Sequence, residues 1–390
     1  MSETSIPQDA TVKNSTNEEQ PMVAVATPLG AMLAESATRP ELAVYRGALT
    51  PQRLDAAERE TAALLAGAAV HDLGWLRRLE VHGEDRFRWL SGMVTNTVSD
   101  LAGNGSAWNL VLNAQGRIQG ELHVGREGER IDLTIAADQY EKLLAHLNRF
   151  IIMDDVELVP LSVDAEGKLS GETALGLAGP LAADVLGRLG LPAPAELMTS
   201  ARGVWNGREA RVIRAYGVLA PHYEIWVRAA EILALWKALV EAGASTVGAA
   251  ALEAFRVAEG IPAYGIDIAE RDLPQETSQL RALNFNKGCY LGQEIVERIR
   301  SRGSVHRHLR QLELFGPEPV AGTELLFEGG AVAGEITSAA ELPLEVGGRV
   351  FALGMIRGKA EIGDKLFTYA AGDVVATARI LASPPELKLD

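Results

Sequence analysis

Hydrophobic and polar positions change period several times along the 390-residue chain. Residues 1–21 are mostly Ser, Thr, Asn, Gln, Glu and Pro, with little to bury, and read as a disordered tail. Apolar residues return at 22–34, where 29–34 suits a short helix packed on the adjoining domain. The stretch 51–69 reads as a helix: Pro51 suits a first turn, and Leu54, Ala57, Thr61, Leu64 and Leu65 share a face. Residues 75–81 alternate like a strand, and 86–93 form a short helix. Two strands, 108–112 and 117–124, flank the turn Asn113-Ala114-Gln115-Gly116, so the pair is a hairpin. A strand at 131–135 leads into an amphipathic helix at 137–150 with Tyr140, Leu143, Leu144 and Leu147 inward, and another strand lies at 156–161.

The pattern then runs again. Strands are expected at 169–177, 209–216 and 222–227, and helices at 179–189, 230–242 and 249–258. Strands and helices mixed without regular βαβ alternation indicate an α+β fold rather than a doubly wound sheet. After Arg310 the texture changes to short strands at 309–315, 324–327, 332–338, 349–356, 365–370 and 373–380, separated by Gly, Pro and charge. That spacing is typical of a small antiparallel barrel. The expected organisation is a tail over 1–38, an α+β region over 39–304 and a barrel over 305–390, in keeping with a length that exceeds one core.

Composition narrows the function classes. A net charge of −15 argues against a general nucleic-acid binder, although the stretch 287–310 holds six Lys or Arg against Glu294 and Glu297. No apolar run reaches the roughly 20 residues that span a bilayer, so no membrane association is expected. Residues 1–40 carry five acids and only Lys13 and Arg39 as bases, a poor targeting segment, so cytoplasm is the expected location. One cysteine excludes an internal disulfide and any metal site built from several cysteines of one chain. The sequence contains no GxGxxG, phosphate loop or HExxH, and its seven histidines form no spaced metal set.

Three stretches stand out. The first is Asn286-Lys287-Gly288-Cys289-Tyr290-Leu291-Gly292-Gln293-Glu294, with Arg298, Arg300, Arg302, Arg307 and Arg310 close behind. Free cysteines are usually small buried core residues, but nearby positive charge favours a reactive thiolate, and flanking glycines permit close approach. The second runs from Arg256 to Asp267 with Pro274-Gln275-Glu276 beyond; Arg256 and Glu259 share a helix face that ends at Gly260-Ile261-Pro262. The third is the hairpin from Leu112 to Leu122, which carries Asn113 and Glu121.

In this order the three stretches resemble the YgfZ family of folate-binding proteins, relatives of the T-protein of the glycine cleavage system. The run Lys287-Gly288-Cys289-Tyr290-x-Gly292-Gln293-Glu294 is similar to that family's signature. The likeness extends to Phe87-x-x-Leu90, Val94-Thr95-Asn96 and Gly334-Glu335-Ile336-Thr337-Ser338, and covers residues 40 to 385. It implies two α+β modules and a C-terminal antiparallel barrel in a ring around a central tetrahydrofolate site. On that likeness Asn113, Glu121, Arg256, Glu276, Lys287 and Tyr290 are the expected folate contacts.

The resemblance also implies a role in maturing or repairing iron–sulfur proteins, with the assembly machinery and client enzymes as partners, among them radical enzymes that modify transfer RNA. Cys289 is then the functional thiol. Its chemistry stays open between transient ligation of a cluster iron, a mixed disulfide and a persulfide. T-protein itself moves an aminomethyl one-carbon unit with an acidic pair at the positions of Gly120 and Glu121. One of those acids is missing here and the other is longer by a methylene, so the expected protein is non-catalytic. A folate-dependent one-carbon transferase using Glu121 is the alternative.

Overall fold

A computed structural model describes residues 24–36, 39–344, 347–361 and 365–387. Four sheets organise them. A five-stranded antiparallel sheet runs in the order Ser106–Leu112, Ile118–Glu127, Arg130–Ala136, Leu76–His82, Glu157–Pro160. A six-stranded sheet runs Ser200–Trp205, Arg208–Ala215, His222–Arg228, Glu172–Ala178, Ala69–Asp72, Ser245–Thr246; only its last pairing is parallel. Strands Arg307–Phe315, Glu324–Leu326, Val332–Leu342, Arg349–Arg357, Leu366–Ala371 and Val374–Ile380 close into a barrel, which removes exposed sheet edges. The α+β class with a C-terminal antiparallel barrel is the outcome of these elements.

Local chemistry explains most boundaries. In the helix Ala137–Asn148, Tyr140, Leu143 and Leu147 recur at helical spacing and are buried against the five-stranded sheet. The helix Ala249–Glu259 ends where Gly260 takes φ 70°, and the Gly260 N–H closes on the Val257 carbonyl. Its Phe255 and Val257 pack with Ala340, Leu342 and Phe351 of the barrel. Fully burying each such side chain contributes about 1.5–3 kcal/mol, so this helix is a principal tie between the modules and the barrel.

Three sequence expectations change. The tail boundary at residue 38 moves upstream, because 24–36 belong to the fold. Thr27 caps the helix Pro28–Ala34 by accepting the Gly30 N–H at 2.9 Å, Leu29 is fully buried, and Val25–Ala26 pairs with Ala48–Pro51. Residues 1–23 lie outside the described set. The expected helix at 51–69 starts only at Ala57, since Ala48–Pro51 is a strand. Buried Glu60 reaches back to accept the N–H groups of Leu54 and Asp55 at 2.7 and 3.0 Å, which holds 52–56 out of the helix. Finally, Ser200–Trp205 is a strand that sequence periodicity missed. Asn206 and Gly207, both at positive φ, turn it into Arg208–Ala215, and the Asn-Gly pair was the signal available for it.

Candidate functional site

The two large sheets and the helix Ala249–Glu259 converge on a cavity of about 450 Å³. Such a volume suits a medium-sized organic ligand. Its wall is mostly apolar or aromatic, with Trp75, Trp108, Tyr216 and Phe255 among the lining residues.

Glu121 reaches this wall from the strand Ile118–Glu127. A Cβ at the preceding Gly120 would meet Leu143 and Gln139 at under 3 Å, so glycine there lets the helix Ala137–Asn148 lie directly on the strand. Gln139 accepts the Glu121 N–H at 2.9 Å through Oε1. The Glu121 carboxylate accepts from Arg46 Nη2 at 3.2 Å and from the Tyr264 N–H at 3.1 Å, both at Oε1. Oε2 takes part in neither bond. Arg46 is shared with Asp138 and remains charged: burial opposes its protonation, but the two carboxylates outweigh it and raise its pKa.

Four buried polar atoms of the lining residues, His71 Nδ1, Trp75 Nε1, Gln139 Nε2 and His222 Nε2, have no hydrogen-bond partner among the described residues, and of these only His222 Nε2 has a nearby carboxylate, Glu259. Leaving such an atom unpaired costs on the order of 1–3 kcal/mol, so this wall is prepared for a polar partner. Burial, with His222 nearby, lowers the His71 pKa to about 3 and keeps its ring neutral. His123 is lowered to about 4 by burial and by Arg281. Arg281 lies between aromatic faces, 3.6 Å from the Tyr216 centroid and 4.7 Å from that of Trp108, with burial lowering its pKa. His222 Nε2 lies 3.3 Å from Glu259, whose carboxylate also takes the N–H groups of Val218 and Leu219.

Of the residues expected around a ligand, Glu121 and Arg256 line the cavity and four do not. Arg256 faces it with its guanidinium tied to Glu253, to the Ile261 carbonyl at 2.6 Å and to Asp267 at 2.6 Å. Asp267 in turn accepts from Thr337 Oγ1 and Ser338 Oγ, each at 2.6 Å, so the second stretch and the barrel motif meet at one buried carboxylate. Glu276 accepts the Leu273 N–H and pairs with Arg307 on the first barrel strand. Asn113 closes its own turn by accepting the N–H groups of Gln115 and Arg117 at 3.0 Å. Tyr290 is buried among Trp108, Leu112 and Tyr264, and burial pushes its hydroxyl up to about 12. The polar groups or the ring of these three are committed to the scaffold.

Lys287 is the fourth. It extends its ammonium to the Val94 and Asn96 carbonyls, both at 2.7 Å. No hydrogen bond joins Lys287 to Cys289, and the ammonium stays with these two carbonyls. Burial lowers the Lys287 pKa to about 8. Gly292, at φ 81°, starts the helix Gln293–Arg302, which carries Glu294 in its first turn and buries Val296. The turn 113–116 docks on Gly292, so the first and third stretches touch. Between these anchors Cys289 is exposed and free, and it does not line the cavity.

Sequence reading overlooked Arg46, His71, Gln139 and Arg281. Gln139 had a visible signal: it stands four residues before Leu143, a polar residue on an otherwise apolar helix face. The others come together only through long-range pairing. Among the described residues no helix is long and apolar enough to cross a membrane.

The GCVT N-terminal domain family model matches residues 25–287. The chain is similar to an aminomethyltransferase of Rubrobacter xylanophilus, with 28% identity covering 77% of this chain and 79% of that protein. It is similar also to an aminomethyltransferase of Frankia alni, with 27% identity over 73% and 77% of the two chains. The solved structure of glycine cleavage system aminomethyltransferase T from Bartonella henselae shares its fold, with a TM-score of 0.81 and 22% identity over 92% of this chain and 97% of that one.

Proposed function

The chain belongs to the GCVT N-terminal domain family, and from that premise we propose that it binds tetrahydrofolate in the central cavity and serves iron–sulfur protein maturation through Cys289. On this reading it stands with the YgfZ-like members of the wider family. The observation that carries the proposal is the presentation of the thiol. Cys289 faces solvent while its neighbours are pinned: Lys287 on two carbonyls, Leu291 N–H on the Gly92 carbonyl at 2.9 Å, Gly292 on the hairpin turn. A thiol held outside the cavity suits contact with another macromolecule better than chemistry on a ligand inside it.

The cavity fits a pterin-bearing ligand on its own terms. A flat heterocycle rich in ring nitrogens and amide groups could satisfy His71 Nδ1, Trp75 Nε1 and Gln139 Nε2, and the aromatic wall would stack on it. Glu121 Oε2 is available to accept a ligand N–H. Arg281 makes no ion pair with any described residue and could face the folate glutamate carboxylate. Bound tetrahydrofolate would supply nitrogens that carry one-carbon groups; the residues named here bind and orient it.

The second reading, a folate-dependent aminomethyl or methyl transferase, is favoured by Glu121, a cavity-lining carboxylate whose Oε2 accepts no hydrogen bond from the described residues. The two readings separate in one set of measurements. Tetrahydrofolate is titrated into wild type, Cys289→Ala and Glu121→Gln, product formation is assayed with an amine donor, and a deletion strain is complemented with each. We expect wild type and Cys289→Ala to bind alike, no turnover, and loss of cluster-enzyme activity only with Cys289→Ala. Full complementation by Cys289→Ala would overturn the maturation role. Turnover abolished by Glu121→Gln would establish the transferase instead.

A further inference from the structure

A second pocket, of about 350 Å³, lies at the seam between the two large sheets and shares no lining residue with the central cavity. It is lined by six arginines, Arg78, Arg130, Arg202, Arg208, Arg211 and Arg228, against three glutamates. The strands Leu76–His82 and Arg130–Ala136 supply two of the arginines from one sheet. The hairpin Ser200–Trp205 and Arg208–Ala215, with His222–Arg228, supplies the other four from the second.

Ion pairing engages five of the six arginines and leaves Arg228 and part of the Arg211 guanidinium unmatched. Glu172 pairs with Arg78 at 2.6 Å, and Glu209 pairs with Arg202 at 2.7 Å. Arg130 is engaged by Glu80, and Arg202 also by Glu127. Glu231 stands 3.8 Å from Arg208. Behind the pocket, buried Asp132 takes Arg78 at 2.9 Å and Arg211 Nη1 at 2.6 Å, which fixes both guanidinium planes. Arg211 is 5% exposed, yet its Nε and Nη2 have no acceptor among the described residues. Arg228 is exposed and makes no ion pair with a described residue. A buried guanidinium with two idle donors is costly, and its fork geometry matches the oxygens of phosphate or carboxylate.

We infer that this seam pocket is a second ligand site that takes a small multivalent oxyanion, the shared chemistry of phosphate esters and polycarboxylates. Arg211, with its two idle N–H donors, is part of the lining, and exposed Arg228 adds unpaired charge. Occupation would bridge the two sheets, because the pocket draws arginines from both.

Isothermal titration of the full chain at low ionic strength tests this with inorganic pyrophosphate and citrate as probes. Wild type is expected to bind at least one of them at a single site; tighter pyrophosphate points to phosphate esters, tighter citrate to polycarboxylates. Arg211→Met should weaken binding about tenfold or more, in line with loss of charge-assisted hydrogen bonds. Arg211 is buried, so Arg228→Ala carries the decision if that variant misfolds: its side chain is exposed and unpaired, and its loss should weaken binding about twofold to fivefold. Absence of binding by both probes, or equal affinity in wild type and Arg228→Ala, would overturn the proposal.

Discussion

Two glycines of the cysteine stretch, four residues apart, should respond oppositely to alanine. Gly292 has φ 81°, and a Cβ there would meet the Asn113 carbonyl oxygen at 2.6 Å and Gly116 Cα at 3.0 Å. The left-handed backbone costs an alanine about 1–2 kcal/mol. The steric term is separate, because the obstacle is backbone of a hairpin turn that cannot rotate away, and overpacking of this kind adds about 1–3 kcal/mol. Gly292→Ala should therefore lose about 2–5 kcal/mol. Gly288 is not in the left-handed region, and a Cβ there meets nothing within 4 Å. Gly288→Ala should fall within about 0.5 kcal/mol of wild type or gain slightly, since alanine restricts the unfolded chain. Urea unfolding monitored by far-UV circular dichroism measures both, with the slope m checked for constancy. Gly292→Ala within about 0.5 kcal/mol of wild type, or equal losses in the two variants, would refute the packing argument. If Gly288→Ala folds normally yet fails to complement, the space around the thiol is needed by something that docks there.

Acid sensitivity is expected from His71, held at a pKa of about 3 against an ordinary value of 6.5. Below pH 6.5 the unfolded chain takes up a proton that the folded chain refuses, so stability falls as pH drops from 6.5 toward 3, by up to about 1.4 kcal/mol per pH unit for this group. Denaturation at several pH values should show a shallower acid slope in His71→Gln; identical slopes would discard the assignment. The barrel joint gives a third test. Thr337→Val with Ser338→Ala strips buried Asp267 of two donors, and hydrogen bonds to a charged group are worth about 1.5–3 kcal/mol each, so the double variant should lose about 3–6 kcal/mol. Limited proteolysis should then cut faster near 303–306, between the helix Gln293–Arg302 and the first barrel strand; unchanged cleavage and stability would count against the joint.

Local periodicity and turn chemistry were enough to read the α+β class, the barrel and most elements from the chain. The helices at 86–93, 137–148 and 249–259 and the Gly260 stop were legible for that reason. The motifs also located the neighbourhoods that matter, although not their duties. Glu121 and Arg256 line the cavity, while Asn113, Glu276, Lys287 and Tyr290 lie outside its lining, committed to turns, ion pairs and packing elsewhere. A motif records that a residue is constrained and not which way its side chain points. Long-range packing settled that Asp267 joins residues 256 and 337–338, that Gly292 receives the turn at 113–116, and that His71, Gln139 and Arg281 share a cavity wall. The arginine seam was equally hidden: its six guanidiniums are scattered between Arg78 and Arg228, and strand pairing gathers them. Chain segments far apart in sequence meet where burying apolar faces forces two sheets together, and a site built across such a meeting has no local signature to read.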